Sequence, residues 1–322
     1  MNNSIRIPTL QEIKEGLDFL KNVNWSILSF NEADDYINQI EHYLFNSFGL
    51  FFRNRNISNT EVLNKSIHHY RNVFRLRLYD EDINEELISE FSHPPVSATK
   101  KLGRANFPYY PVFYGAPDVG TAMLETLETL APKFDPQKDN YFYLSQWSFK
   151  EFTPLYITWF TFGTYIPESD LSLFSKHYIE GILSNLQITS KEERERLQKL
   201  INAFGELFEL SNNHYLAAYI AHTHLYYNDN TRTELFVYPS IQTERVSLNY
   251  AIHPNTVIHK MFLKRVYQIK VTNYVKKGLG KAEYEIAYTN KCGKNNYNGN
   301  LIWDTLTDTD CKDFETLFPP KI

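Results

Sequence analysis

The segment Gly103–Glu125, GRANFPYYPVFYGAPDVGTAMLE, constrains the fold more than any other part of the chain. It opens with Arg104 and Asn106 in a turn-like setting and runs through aromatic residues to Phe113 and Tyr114. It then breaks at Pro117-Asp118 and enters an apolar helical stretch that carries Glu125. β-Branched and aromatic content predicts a strand over Tyr109–Tyr114. Asp118 is placed to cap a helix whose second turn presents Glu125. The order strand, turn, helix delivers a guanidinium, an amide, a phenol and a carboxylate to one junction.

A chain of 322 residues can bury a substantial core, as one large domain or two ordinary ones. With 43% hydrophobic and 22% charged residues its composition is globular, not disordered. Aromatic residues reach 16%; most serve core and strands, and some can line a pocket for a flat ligand. A net charge of -5 argues against general nucleic-acid binding, and no direct nucleic-acid partner is expected. Cys292 and Cys311 are too few for a disulfide scaffold or a cysteine zinc site, which fits a reducing compartment. The N-terminus lacks the basic start and unbroken apolar core of a signal peptide, and no apolar run approaches the about twenty residues that span a bilayer. A cytoplasmic protein without a membrane partner is expected.

Taken in order, residues 1–70 read as a helical extension. Leu10, Ile13, Leu17 and Leu20 recur at helical spacing, and Ala33–Phe45 repeats the pattern. Arg53-Asn54-Arg55-Asn56 invites comparison with helical RNases, but Ser58 and Asn59 stand where a histidine is needed. Asn72–Leu78 alternates as a strand, with Arg75 and Arg77 on one face and Phe74, Leu76 and Leu78 on the other. Two arginines on one face are either a solvated surface or, together with Arg104, a clamp for phosphates. Tyr79–Phe91 is acidic and reads as helix. Strands are expected over Tyr141–Phe149, Pro154–Phe160, Glu234–Gln242 and Val246–Ile252, with helix over 167–210. His222 and His224 would share a face of a strand, yet no third ligand stands nearby, so no metal is expected. The chain beyond Tyr274 reads as a strand-rich extension with polar loops.

Arg75 in Val-Phe-Arg-Leu-Arg, Gly-Arg104-Ala-Asn106 leading to Tyr114, Thr-Ala-Met-Leu-Glu125, and Tyr-Pro-Ser240 followed by Asn249 together resemble the RES domain, named for its Arg, Glu and Ser. The resemblance spans residues 70–255. It implies an α+β fold with an ADP-ribosyltransferase-like split mixed β-sheet and surrounding helices. Residues 71–273 would form the RES domain, between the N-terminal extension and a C-terminal extension over 274–322. The resemblance also implies a toxin that consumes NAD as substrate, needs no other cofactor and is partnered by a small helix-turn-helix antitoxin. By motif, Arg75, Glu125 and Ser240 carry over as catalytic residues. Arg77, Arg104, Asn106, Tyr114 and Asn249 carry over as the nucleotide-binding set. The N-terminal helices are expected to cover the cleft or to mediate a homo-oligomer.

The residue types suit that substrate. A pyrophosphate calls for arginines, a cationic nicotinamide ring can stack on a tyrosine, and a carboxylate can stabilise an oxocarbenium-like ribose. Three readings follow. The first is an NAD glycohydrolase or phosphorylase, the second an ADP-ribosyltransferase that modifies a macromolecule, and the third a binding module with little turnover.

Overall fold

Strict alternation of apolar and polar residues makes Asn72–Leu78 the strand that the sequence predicts, and this strand, β1, frames one of two compact units. The computed structural model describes residues 7–25, 28, 32, 34–36, 72–130, 140–151, 153, 155–159, 180, 188–210, 214–226, 233–245, 247–278, 281–296 and 298–317. The helical pattern over Ala33–Phe45 lies mostly outside them, and Arg53-Asn54-Arg55-Asn56 lies wholly outside. In chain order the elements are α1 (Leu10–Asn22), β1, β2 (Phe113–Gly115), α2 (Val119–Leu130), β3 (Asn140–Phe149), β4 (Ile157–Trp159), α3 (Lys191–Leu210) and α4 (His214–Tyr226). There follow β5 (Leu235–Pro239), β6 (Leu248–Ile252), α5 (Pro254–Lys260), β7 (Met261–Gly278), β8 (Lys281–Asn295), β9 (Leu301–Thr305) and α6 (Asp308–Leu317). One unit gathers Met1–Ile57, Lys100–Tyr110 and Tyr156–Tyr238; the other gathers Ser58–Thr99, Pro111–Leu155 and Pro239–Ile322. Helices with both antiparallel and parallel strand pairs make the fold α+β, as expected from the sequence.

The second unit is built on an antiparallel sheet of order β1-β3-β7-β8-β9. Phe74 and Leu76 of β1, with Phe142 and Leu144 of β3, meet Ala122, Met123 and Leu127 of α2 on one face of that sheet. Val119, Gly120, Thr121, Thr126 and Thr129 are poor helix formers, so α2 is not held by propensity. Burial holds it: Met123 and Leu127 are fully buried, each worth about 1.5–3 kcal/mol. Beside β1, Phe74 and Ala116 exchange backbone hydrogen bonds of 2.8 and 2.9 Å, and β2 pairs with β6. Gly115 makes this approach possible, because a methyl there would stand 2.4 Å from Cγ1 of the fully buried Val73.

The C-terminal segment belongs to the same sheet. β7 continues past residue 274, with a register shift between Thr272 and Val275 in its pairing with β8, and β8 and β9 extend the sheet. The helix α6 was not legible, because its apolar face is only Cys311, Phe314 and Leu317 among the described residues. It is fastened instead by Asp310, which is buried and accepts from Lys294 Nζ at 2.8 Å and from Arg265 at 3.2 Å. Burial pushes the Asp310 carboxyl up, but hydrogen bonds from Lys294 and Thr307 outweigh it and hold the group at about 2.

In the first unit α1 opens with a capping box, Thr9 Oγ1 accepting from Glu12 N and Glu12 Oε2 accepting from Thr9 N at 2.8 Å. It packs on α3, which packs on α4, and β4 pairs in parallel with β5. Here also the expected strand over Tyr109–Tyr114 gives way. Phe107-Pro108-Tyr109-Tyr110 is a turn closed by Tyr110 N donating to Phe107 O at 3.1 Å, and Tyr109 has φ of 67°. Pro at the first central position and positive φ at the second are the marks of a type II turn. In the second unit the acidic Tyr79–Phe91 is likewise not a regular helix. Asp80 and Asn84 accept from the backbone two residues on, which diverts the chain into turns ending in a 3-10 turn at Ile88–Phe91. No helix among the described residues is long and apolar enough to cross a membrane.

Gly115→Ala is expected to destabilise the protein by about 1–3 kcal/mol in urea unfolding, since the buried Val73 cannot retreat freely. Adding Val73→Ala should recover part of that loss; simple additivity of the two changes would contradict the proposed crowding.

Candidate functional site

Asp118 caps α2 as its sequence position suggests. Its Oδ1 accepts from Thr121 N at 2.8 Å, and its Oδ2 accepts from the hydroxyls of Thr121 at 2.7 Å and Ser247 at 2.9 Å. Two turns further on, Glu125 is half-buried, and its Oε1 accepts from Ser240 Oγ at 2.5 Å and from Asn249 Nδ2 at 2.6 Å. Among the described residues nothing donates to Oε2. The carboxylate thus has one oxygen fixed by two donors and one left over.

The turn between Ser240 and Ser247 enforces this arrangement. Ser240 is fully buried, and its Oγ accepts from Thr243 N at 3.1 Å, so its single proton is directed to Glu125. Thr243 Oγ1 donates to Ser240 O and accepts from Ser247 N. Arg245 N donates to Ser240 O at 2.8 Å, and Glu244 and Arg245 hold φ of 51° and 69°. Two successive left-handed residues without glycine are costly, and the hydrogen-bonded turn over-determines them. Sequence reasoning missed Thr243 and Ser247; the Ser/Thr spacing in PSIQTERVS was the available signal.

Tyr114 opposes Ala251 in the β2–β6 pair, so Tyr114, Ala251 and Asn249 share one face. The structure therefore brings Glu125, Ser240 and Asn249 together and sets Tyr114 on the face from which Asn249 reaches the carboxylate.

Arg75 and Arg77 leave β1 on the face opposite Phe74 and Leu76, hence opposite α2. Arg77 donates to the Glu90 carbonyl and also pairs with its carboxylate at 3.0 Å. At this exposure that pair is worth about 1 kcal/mol or less. Arg75 donates to Ser92 O at 2.5 Å and lies over the Phe113 ring, 5.3 Å from its centroid. Burial, and then the charge of Arg77, pull the Arg75 guanidinium down to about 10. Among the described residues no carboxylate pairs with it. Burial and the Arg75 charge hold the neighbouring His93 below its ordinary range.

Arg104 and Asn106 lie in the first unit. Arg104 donates to Phe208 O at 2.9 Å. Asn106 is buried and donates from Nδ2 to Lys101 O and Phe107 O at 3.2 and 3.0 Å, closing the turn that carries Arg104. His222 and His224 stand two apart on a helix, not a strand, and so point in different directions. His222 stacks on Tyr226 with centroids 5.1 Å apart and meets Tyr110 edge-on at 4.5 Å, within an aromatic cluster. No group of three or more potential metal ligands occurs among the described residues.

The family model of the RES domain matches residues 74–153. That segment holds Arg75, Arg77, Arg104, Asn106, Tyr114 and Glu125, and it ends before Ser240 and Asn249. Among solved structures the chain is similar to the crystal structure of the M. tuberculosis MbcT–MbcA toxin–antitoxin complex. The similarity is 12% in identity over 62% of this chain and 87% of that one, with a TM-score of 0.30. No curated protein matches the chain.

Burial holds the His222 imidazole down from its ordinary 6.5 to about 4, so it is neutral in the folded protein at pH 7. A depressed folded value means that stability is full above the unfolded value and is lost as pH falls toward 4, by about 3 kcal/mol at most. His222→Phe cannot protonate. Its urea-unfolding stability is expected to vary less than wild type between pH 6.5 and 4; parallel curves would rule the assignment out.

Proposed function

We propose, from the RES domain match over residues 74–153 and the carboxylate site on α2, that this protein is a RES-type toxin that cleaves the nicotinamide–ribose bond of NAD. The observation that carries the reading is Glu125, with Oε1 fixed by Ser240 and Asn249 and Oε2 available. As the C–N bond breaks, its electron pair leaves with nicotinamide, which becomes neutral, and positive charge develops on the ribose ring. A carboxylate oxygen held at that ring stabilises the charge and can also hold a ribose hydroxyl. Phosphate, or water that gives up one proton to solvent, then supplies the oxygen that bonds to the anomeric carbon. Nicotinamide needs no proton to leave, so no strong general acid is required.

In this reading Ser240 and Asn249 act on Glu125 by orienting it, which suits a serine that is fully buried. Tyr114 offers its ring to the nicotinamide. Arg75 is the better anion ligand of the two β1 arginines, because Arg77 already pairs with Glu90. Asn106 secures the turn that carries Arg104 in the other unit. An ADP-ribosyltransferase-like cleft, a bacterial cytoplasmic setting, a helix-turn-helix antitoxin and a homo-oligomer belong to the same proposal.

Purified full-length protein should release nicotinamide from NAD. Glu125→Gln should lower kcat by about 100-fold or more with little change in KM, since the carboxylate acts on charge present only in the transition state. Arg75→Ala should instead raise KM by about tenfold or more, the loss of a charged hydrogen bond. Label transferred from NAD to protein or cell extract, without free ADP-ribose, would shift the reading to an ADP-ribosyltransferase. No NAD loss from folded wild type, with or without phosphate or extract, would overturn both.

A further inference from the structure

Tyr109 is set where a tyrosine has no structural reason to be. It occupies the second central position of the turn Phe107-Pro108-Tyr109-Tyr110 with φ of 67°, a conformation that favours glycine. A bulky residue in that region is a conformational outlier, and outliers of this kind cluster at active sites and ligand clamps. Burial does not compensate, because Tyr109 is 60% exposed. Among the described residues its hydroxyl makes no hydrogen bond and its ring packs on no other ring. The contrast with Tyr110 is sharp. That neighbour is edge-on to His222 and to Tyr226, with centroids 4.5 and 5.3 Å apart, and so belongs to the aromatic cluster.

The surroundings say what such a ring would meet. Pro108 and Pro111 bracket the pair and fix their own φ, so the ring is presented by a stiffened turn that loses little freedom on binding. The segment Lys100–Tyr110 contains no acidic residue. Lys100 and Lys101 are exposed and pair with no carboxylate among the described residues. An exposed ring in one short segment with exposed lysines and no acidic residue offers what a nucleotide needs, a face for the base and cations for its phosphates.

We propose that Tyr109 is a stacking residue for a nucleotide base, with Lys100 and Lys101 attracting the phosphates. The proposal rests on a nucleotide being the substrate class and deepens that reading; it does not depend on bond cleavage. It assigns a binding role to a residue outside the arginine, tyrosine and carboxylate set named above.

The test uses ADP, which has no nicotinamide to lose, titrated into the full-length protein by calorimetry at low and at moderate salt. Glycine suits the left-handed position, so Tyr109→Gly should melt no lower than wild type while binding ADP about tenfold more weakly. Tyr109→Phe keeps the ring and should bind within about twofold of wild type. Lys100→Gln with Lys101→Gln should weaken binding and reduce its salt dependence. ADP affinity unchanged in Tyr109→Gly, a lower melting temperature for that variant, or no ADP binding by folded wild type would each overturn the proposal. Nicotinamide release measured on the same proteins separates the two readings. Turnover by a wild type whose ADP affinity ignores Tyr109 defeats this proposal alone, while Tyr109-dependent ADP binding without any turnover defeats NAD cleavage alone.

Discussion

One carboxylate oxygen, Glu125 Oε1, receives hydrogen bonds from two elements distant in sequence, and the geometry of its unit depends on that meeting. The hydroxyl of Ser240 comes from the turn after β5 and the amide of Asn249 from β6. Hydrogen bonds to a charged acceptor contribute on the order of 1.5–3 kcal/mol each, more than any exposed ion pair in the protein. They also decide chemistry. With Oε1 holding two donors and the Ser240 proton directed to it, the carboxylate oxygen left to act on a ligand is Oε2. Asp118 repeats the device two turns earlier, bonding Ser247 at the far end of the same loop. The helix α2 is thus tied twice to one loop, and the strain at Glu244 and Arg245 is the cost of holding it.

The RES match ends at residue 153, yet the donors that fix Glu125 lie beyond it, and so does much of the support for α2. Tyr274 of β7 donates to Glu128 at 2.6 Å, and Tyr274 and Tyr284 of β8 pack against the core cluster that buries α2. The C-terminal strands are therefore part of what positions the carboxylate. The arginines are different. Arg75 and Arg77 leave the opposite face of β1, and only Arg75 lacks a carboxylate partner among the described residues. A charged guanidinium stacked over Phe113 and bonded to one carbonyl has unspent donor capacity, which is the property an anion site needs.

Much of this was legible in the sequence where one local rule acted alone. The period-two pattern of Asn72–Leu78 gave β1 to the residue, and Asp118 announced the start of α2. Legibility failed where two rules competed. Aromatic content argued for a strand from Tyr109, but two prolines and a left-handed residue made a turn, and the strand begins only at Phe113. In Tyr79–Phe91 the side chains of Asp80 and Asn84 took backbone donors that a helix would have used. Long-range partners were legible only as residue types. Nothing in the spacing of Glu125, Ser240 and Asn249 states that one oxygen would serve both donors. Nor does the polar sequence around Asp310 state that its carboxylate would find Arg265 and Lys294 and hold α6.

The most direct measurement is a double-mutant cycle on Glu125 and Asn249, using urea unfolding of wild type, Glu125→Gln, Asn249→Ala and the double variant. A shared, half-buried charged hydrogen bond predicts a coupling of about 1–2 kcal/mol, the double variant losing less than the two single losses combined. Additive losses, with no coupling beyond about 0.5 kcal/mol, would show that the two side chains do not meet and would remove the basis of the site.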